Sequence, residues 1–141
     1  MTFPLAGLLR VRGAQERVAA ERLSRATAER MQSESAAQDA QASLADLSSH
    51  VNDAATLLAM AAARAAGRSA LSDLQALTEL HRAEEDEAKY AHVEAKQELK
   101  GLERLESTHR VEAARAELSA EQNRLDEIAV ARVGRGTAGA A

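Results

Sequence analysis

The sequence predicts an all-α fold: two long helices folded back on each other as an antiparallel coiled-coil hairpin. Three observations carry that reading. Apolar residues recur at coiled-coil spacing, helix breakers are confined to a few places, and the composition is rich in helix formers but nearly free of aromatics. Of 141 residues, 45% are hydrophobic and 28% charged, yet only 1% are aromatic. Large aromatic rings dominate compact cores, so a thick core is not expected. Alanine, leucine, glutamate, glutamine and arginine all favour helix, and such a composition with a regular period reads as a coiled coil.

The breakers set the expected boundaries. Pro4 is the one proline and stands where a first helix would begin, a favoured position because its missing N–H is not needed there. Gly67 lies near the midpoint, and Gly134, Gly136 and Gly139 crowd the end. These place helix one at about 5–65, a turn at about 66–70 and helix two at about 71–133, within one domain of 1–133. Ser72-Asp-Leu-Gln75 matches a capping box at the start of the second helix, with Ser69 a competing cap. Residues 134–141 have nothing to bury and are expected to form a flexible tail.

The first helix keeps one heptad frame. One core position runs Leu9, Glu16, Leu23, Arg30, Ala37, Leu44, Val51, Leu58, Ala65; the other runs Leu5, Arg12, Ala19, Ala26, Ser33, Ala40, Leu47, Ala54, Ala61. Apolar residues every 3.5 positions form a seam that another helix must cover. In the second helix Leu74, Leu77, Ala88, Ala91, Ala95, Leu102 and Leu105 share one frame. Val111, Ala114, Leu118, Leu125 and Ile128 share another, so the register slips between them. Helices of similar length joined by a short turn lie antiparallel. Charges at Arg12, Glu16 and Arg30 interrupt the seam, and burying them unpaired is costly. The paired termini are therefore expected to remain partly open and to meet a partner.

Composition also narrows function. The formal net charge is −4, of mixed sign, without the basic face of a nucleic-acid binder. The absence of cysteine excludes disulfides and thiolate chemistry. No apolar run approaches the roughly 20 residues of a membrane span, and Arg10 and Arg12 follow the short apolar start instead of preceding it, unlike a signal peptide. Gly134-x-Gly136-x-x-Gly139 matches a dinucleotide-binding string, but no strand is expected before it. Glu106-Ser-Thr-His109 has the spacing of a di-iron ligand pair, which needs a second such motif and two further glutamates. His81, Glu85 and His92 could share a face and hold a metal, yet the charges around them alternate and Glu85 stands four residues before Lys89, the pattern of an exposed helix. The N-terminal arginines Arg10, Arg12, Arg17, Arg22, Arg25 and Arg30 could face a membrane or an acidic partner; the interspersed Glu16, Glu21 and Glu29 favour a protein. No catalytic constellation, cofactor site or metal site is expected.

Two segments carry a family resemblance. Phe3-Pro-Leu-Ala-Gly-Leu-Leu-Arg-Val-Arg12, followed by Glu16, Ala19 and Leu23, stands at one end. Gly101-Leu-Glu-Arg-Leu105 and Glu121-Gln-Asn-Arg-Leu-Asp-Glu-Ile-Ala129 stand towards the other. Together they resemble the FliJ family of flagellar type III export proteins, which opens with a phenylalanine, a leucine pair and an Arg-x-Arg-like segment and closes with an E-Q-x-x-x-D-E-like segment. The resemblance implies a hairpin similar to the central-stalk subunit of rotary ATPases. It implies a non-enzymatic protein without cofactors, cytoplasmic and peripheral to the inner face of the cell membrane at the flagellar base. The implied partners are the hexameric export ATPase, the cytoplasmic domain of the export gate and the export chaperones. Residues expected to contact the ATPase are Leu5, Leu8, Leu9, Arg12 and Glu16, with Gln122, Asp126, Glu127 and Arg132. An aromatic gate-binding face is not expected, for want of aromatics. The alternatives are a structural coiled coil that self-associates into a helical bundle, and a di-metal enzyme built on Glu106 and His109.

Overall fold

The computed structural model describes residues 2–47 and 53–139. It contains two helices, α1 (Ala6–Ala45) and α2 (Ala54–Ala138), and no strand among the described residues. The predicted all-α helical hairpin is what the chain forms, with the two helices packed along each other. The chain divides into two compact units, Ala14–Lys96 and Met1–Gly13 with Gln97–Ala141. Each unit draws one stretch from each helix.

The boundaries differ from those expected. The reversal falls between Ala45 and Ala54, not at 66–70. Asp46 and Asp53 flank this stretch, and aspartates satisfy their own local backbone in turns and caps. Asp53 is the cap of α2: the Thr56 backbone N–H donates to its Oδ1 at 2.6 Å, satisfying one of the donors that a helix start leaves unpaired. Thr56 also holds the Asp53 carboxyl below its ordinary range. Ser69 and Ser72 lie inside α2 and cap nothing. The helices are consequently unequal, 40 and 85 residues.

Gly67 has another role. It is helical, and a Cβ built there would lie 2.9 Å from Leu44 Cδ1. Glycine at this position lets α2 lie close against the Leu44 side chain of α1, a use of the missing side chain that involves no turn. The tail is also different from expectation, since α2 continues through Ala138. The Thr137 hydroxyl lies 3.2 Å from the Val133 carbonyl and 3.1 Å from that of Gly134, within donating distance of both, and the Gly139 N–H donates to the Arg135 carbonyl. Three glycines weaken helix but, with no proline among them, do not forbid it.

In the unit Ala14–Lys96 the pairing is antiparallel. Glu16 meets His92, Arg22 meets Glu87, Glu34 meets Arg82, and Leu44 lies against Gly67. The heptad frame expected for α1 holds: Glu16, Ala19, Leu23, Ala26, Arg30, Ser33, Ala37, Ala40, Leu44 and Leu47 are its sheltered residues. Val51 lies outside the described residues. Beyond the reversal the frame fails, and Ala54, Leu58, Ala61 and Ala65 are exposed. From Leu71 onward the sheltered residues of α2 in this unit are instead Leu71, Leu74, Thr78, His81, Glu85, Ala88, Ala91, His92 and Ala95. Leu77, expected in the seam, is exposed, as is Leu80. Among the described residues only Ala26 and Ala88 are buried apolar residues, beside buried Ser33, Thr78 and Glu85. The polar seam of α1 has thus selected a polar seam on α2 and left leucines outside.

In the unit Met1–Gly13 with Gln97–Ala141, Arg12 pairs with Glu98 and the Phe3 ring meets the His109 ring, centroids 5.5 Å apart. Leu9, Leu99, Leu102, Glu106 and His109 are sheltered, whereas Leu5, Leu8, Leu105 and Val111 are exposed. Every residue from Ala114 to Gly139 is exposed.

Candidate functional site

Charged residues in the seam were expected to keep the hairpin partly open. Instead each meets an ionisable partner on α2. Arg12 Nη1 lies 2.5 Å from Glu98 Oε2, Glu16 Oε1 lies 2.9 Å from His92 Nε2, and Arg30 Nε donates to Glu85. The reversal between Ala45 and Ala54 sets the register that brings these partners together. The expectation that charge alone leaves this end open is therefore corrected.

Glu85 is the centre of the densest cluster. Besides Arg30, it accepts from Thr27 Oγ1 at 3.4 Å, and Lys89 Nζ lies 3.0 Å from its Oε1. The Lys89 spacing suggested an exposed helix face, but the Glu85 side chain is only 6% exposed. Arg30 also reaches Glu34 at 2.8 Å, and Glu34 accepts twice from Arg82, at 3.2 and 3.0 Å. Arg82 in turn pairs with Glu79 at 2.6 Å. No buried side-chain donor or acceptor among the described residues lacks a partner, which is the condition under which a buried polar network is tolerable.

These cations hold two carboxyls below the ordinary glutamate range: Lys89 first and then Arg30 act on Glu85, and Arg82 first and then Arg30 act on Glu34. Desolvation works in the opposite direction at both. A carboxyl whose folded pKa is depressed adds stability above its unfolded value and loses it as pH falls through the folded value. The ordinary glutamate value is 4.5. Melting temperature is therefore expected to change little as pH falls from neutrality towards that value, then to drop below it. Glu34→Gln should flatten the acid limb, which thermal melts across the acid range will show.

The residues expected to meet a partner occupy two places. Leu5 and Leu8 are 40% and 41% exposed, and Leu9 is half-buried against α2. Gln122, Asp126, Glu127 and Arg132 are all exposed on the last stretch of α2. They do not lie beside Leu5–Arg12, because that segment packs against Glu98 to His109 instead. The unequal helices are the reason: α2 has residues to spare beyond the last contact of α1. Glu16 belongs to the unit Ala14–Lys96, where it meets His92.

On the same stretch, Val111, Leu118, Leu125 and Ile128 are 48%, 67%, 58% and 51% exposed. At about 100° per residue they fall on one face of the helix, with Arg132 on the same face, Gln122 at its edge and Glu127 opposite. Asp126 and Glu127 border a shallow hollow with Asn123, Val130 and Ala131. The sequence pattern identified this apolar frame but assigned it to the seam of the hairpin.

The remaining motifs separate. Glu106 pairs with Arg110 at 3.7 Å while His109 packs against Phe3 with the rings tilted at 56°; no second carboxylate joins them, so the di-metal arrangement is not assembled among the described residues. Gly134, Gly136 and Gly139 stand at the end of α2 without a preceding strand. His81, Glu85 and His92 do not converge: His81 faces Glu84 and Glu29, Glu85 faces Arg30, and His92 faces Glu16. Of the N-terminal arginines, Arg12, Arg22 and Arg30 turn onto glutamates of α2, which breaks up the supposed basic face.

No helix among the described residues is long and apolar enough to cross a membrane. The class defined by these features is an all-α helical hairpin with a polar, ion-paired seam and an apolar stripe on helix that its own partner helix does not cover. The chain belongs to the family of flagellar FliJ proteins, whose family model matches residues 1–138. It is thereby a component related to flagellar export and flagellum biogenesis. No curated protein and no solved structure matches the chain.

Proposed function

We propose that this chain is a non-enzymatic adaptor of flagellar type III export that binds the export ATPase ring, the cytoplasmic domain of the export gate and the export chaperones. The observation that carries the reading is the exposed stretch of α2 from Ala114 to Gly139, with Leu118, Leu125 and Ile128 at coiled-coil spacing. A seam-spaced apolar face fits a helix or groove on another protein. Family membership supplies the context of the export machinery. The protein works in the cytoplasm and reaches the membrane at the flagellar base through its partners, without nucleic acid or cofactor.

The ATPase-contacting set comprises Leu5, Leu8, Leu9 and Arg12 on α1 with Gln122, Asp126, Glu127 and Arg132 on α2, with Glu16 a further contact on α1. The leucines supply apolar area and the charges fix orientation. A hairpin bound at the centre of a ring touches its subunits unequally and biases their closure. The test is co-purification with the export ATPase of the same organism, together with its hydrolysis rate. The full chain is expected to bind and stimulate. A chain ending before Glu121 is expected to lose both, while keeping the helical signal of the remaining hairpin. Equal binding by the shortened chain would refute the placement of the site on α2.

A further inference from the structure

We propose that Glu29, His81 and Glu84 form a binding site for a divalent transition-metal ion of the zinc class, which joins α1 to α2. One oxygen from each carboxylate and one imidazole nitrogen lie within 4.8 Å of one another. His81 Nδ1 is 3.0 Å from Glu84 Oε2 and 3.8 Å from Glu29 Oε2. A tetrahedral zinc ion with ligands at about 2.0–2.2 Å holds those ligands about 3.4 Å apart. The two observed separations bracket that value, the third pair, Glu29 with Glu84, lies within 4.8 Å, and exposed carboxylates can rotate to close on an ion.

Charge points the same way. Four carboxylates that cross between the helices meet an arginine, Glu98 with Arg12, Glu87 with Arg22, Glu34 with Arg82 and Glu85 with Arg30, and Glu16 alone meets a single imidazole, that of His92. Among the described residues Glu29 and Glu84 converge instead on one imidazole, which is neutral unless protonated. Two anionic oxygens with no permanent cation between them leave a place for a divalent ion. The imidazole distinguishes zinc-class ions from magnesium or calcium, which prefer all-oxygen shells.

Access and rigidity also fit. His81 is a seam residue, its side chain 19% exposed, while the Glu29 and Glu84 side chains are 46% and 47% exposed. A cleft of about 270 Å³ opens beside Glu29 and His81, lined also by Ala36, Leu74 and Leu77, and Glu84 stands outside it. The exposure of the two carboxylates leaves the fourth position to water, as in three-ligand zinc sites. His81 and Glu84 are three residues apart on α2 and Glu29 comes from α1, so an ion held here fastens the hairpin within the unit Ala14–Lys96.

The test uses the full chain, freed of metal with a chelator, and ZnCl2 as the probe. Calorimetric titration should give one ion per chain, and a saturating amount should raise the melting temperature by about 5 °C. His81→Gln should abolish the zinc-induced rise, Glu84→Gln should reduce it, and His92→Gln should retain it. The readout is the difference with and without zinc for each variant, so an altered baseline stability does not disguise the result. Substituted Co2+ should show the visible absorption of a four-coordinate ion in the wild type and not in His81→Gln. Absence of saturable binding, an equal response in His81→Gln, or an equal response to MgCl2 would overturn the assignment.

Discussion

Glu85→Ala is expected to lower the melting temperature of the hairpin by about 8 °C, the largest effect of any single substitution in the seam. The glutamate is buried, and three donors converge on it: the guanidinium of Arg30, the hydroxyl of Thr27 and the ammonium of Lys89. Alanine removes their common acceptor without removing them. Arg30 suffers most, because its side chain is only 25% exposed and it must then rely on Glu34 alone. Lys89, 56% exposed, returns to water at little cost. A half-buried charge deprived of its partner destabilises more than the intact pair ever stabilised. That asymmetry defines the control. Replacing both partners, Arg30→Leu with Glu85→Leu, removes the charge and the acceptor together and is expected to recover most of the loss. Melts followed by circular dichroism distinguish the cases. An unchanged Glu85→Ala, or a double variant as unstable as the single, would mean that the ion pair is not what holds this layer.

The helical class and the frame of α1 are visible in the sequence because they depend only on spacing. Leu9, Leu23, Ala37 and Leu44 lie on one seven-residue row, interrupted by Glu16 and Arg30, and the positions between them follow wherever a second helix lies alongside. The position of the reversal depends on a competition that spacing does not reveal. Gly67 is the most conspicuous breaker in the middle of the chain, yet a helix tolerates one glycine for about 1 kcal/mol, and here the missing side chain admits Leu44. Asp53, with its carboxylate on the Thr56 N–H, is less conspicuous but supplies the cap. The differences in the seam of α2 descend from that one displacement. With the reversal before Asp53, Glu85 comes opposite Arg30 and Glu98 opposite Arg12, and Leu77 is turned outward. The charges in the α1 seam were a legible signal that charges of opposite sign must stand on α2. Which ones do so depends on the register, and the register on the turn. The two halves of the expected contact surface were likewise separated by register alone: Gln122 to Arg132 retain their helical face but lie past the segment that Phe3 to Arg12 covers.

Converting Leu118, Leu125 and Ile128 together to serine is expected to leave the melting temperature within about 2 °C of the wild type and to weaken binding of the export ATPase by more than about tenfold. The first half follows from exposure. At 67%, 58% and 51% exposed, these side chains already lie in water, and surface substitutions of this kind change stability by only about 0.5 kcal/mol. Serine lowers helix propensity slightly, a cost confined to a stretch that α1 does not hold. The second half follows from what a partner would gain. Covering apolar surface yields about 25 cal/mol per Å², roughly 1.5–3 kcal/mol for a fully buried leucine or isoleucine. Tenfold in affinity needs only about 1.4 kcal/mol, so even partial burial of three such residues exceeds the threshold. Leu77→Ser with Leu80→Ser provides the comparison, since those residues, 41% and 54% exposed, are also exposed leucines of α2 but stand in the unit Ala14–Lys96. If any exposed leucine serves, the two sets of variants will bind equally poorly. If the uncovered stretch is the docking face, only the first set will fail, and its failure will occur in a protein whose hairpin melts normally.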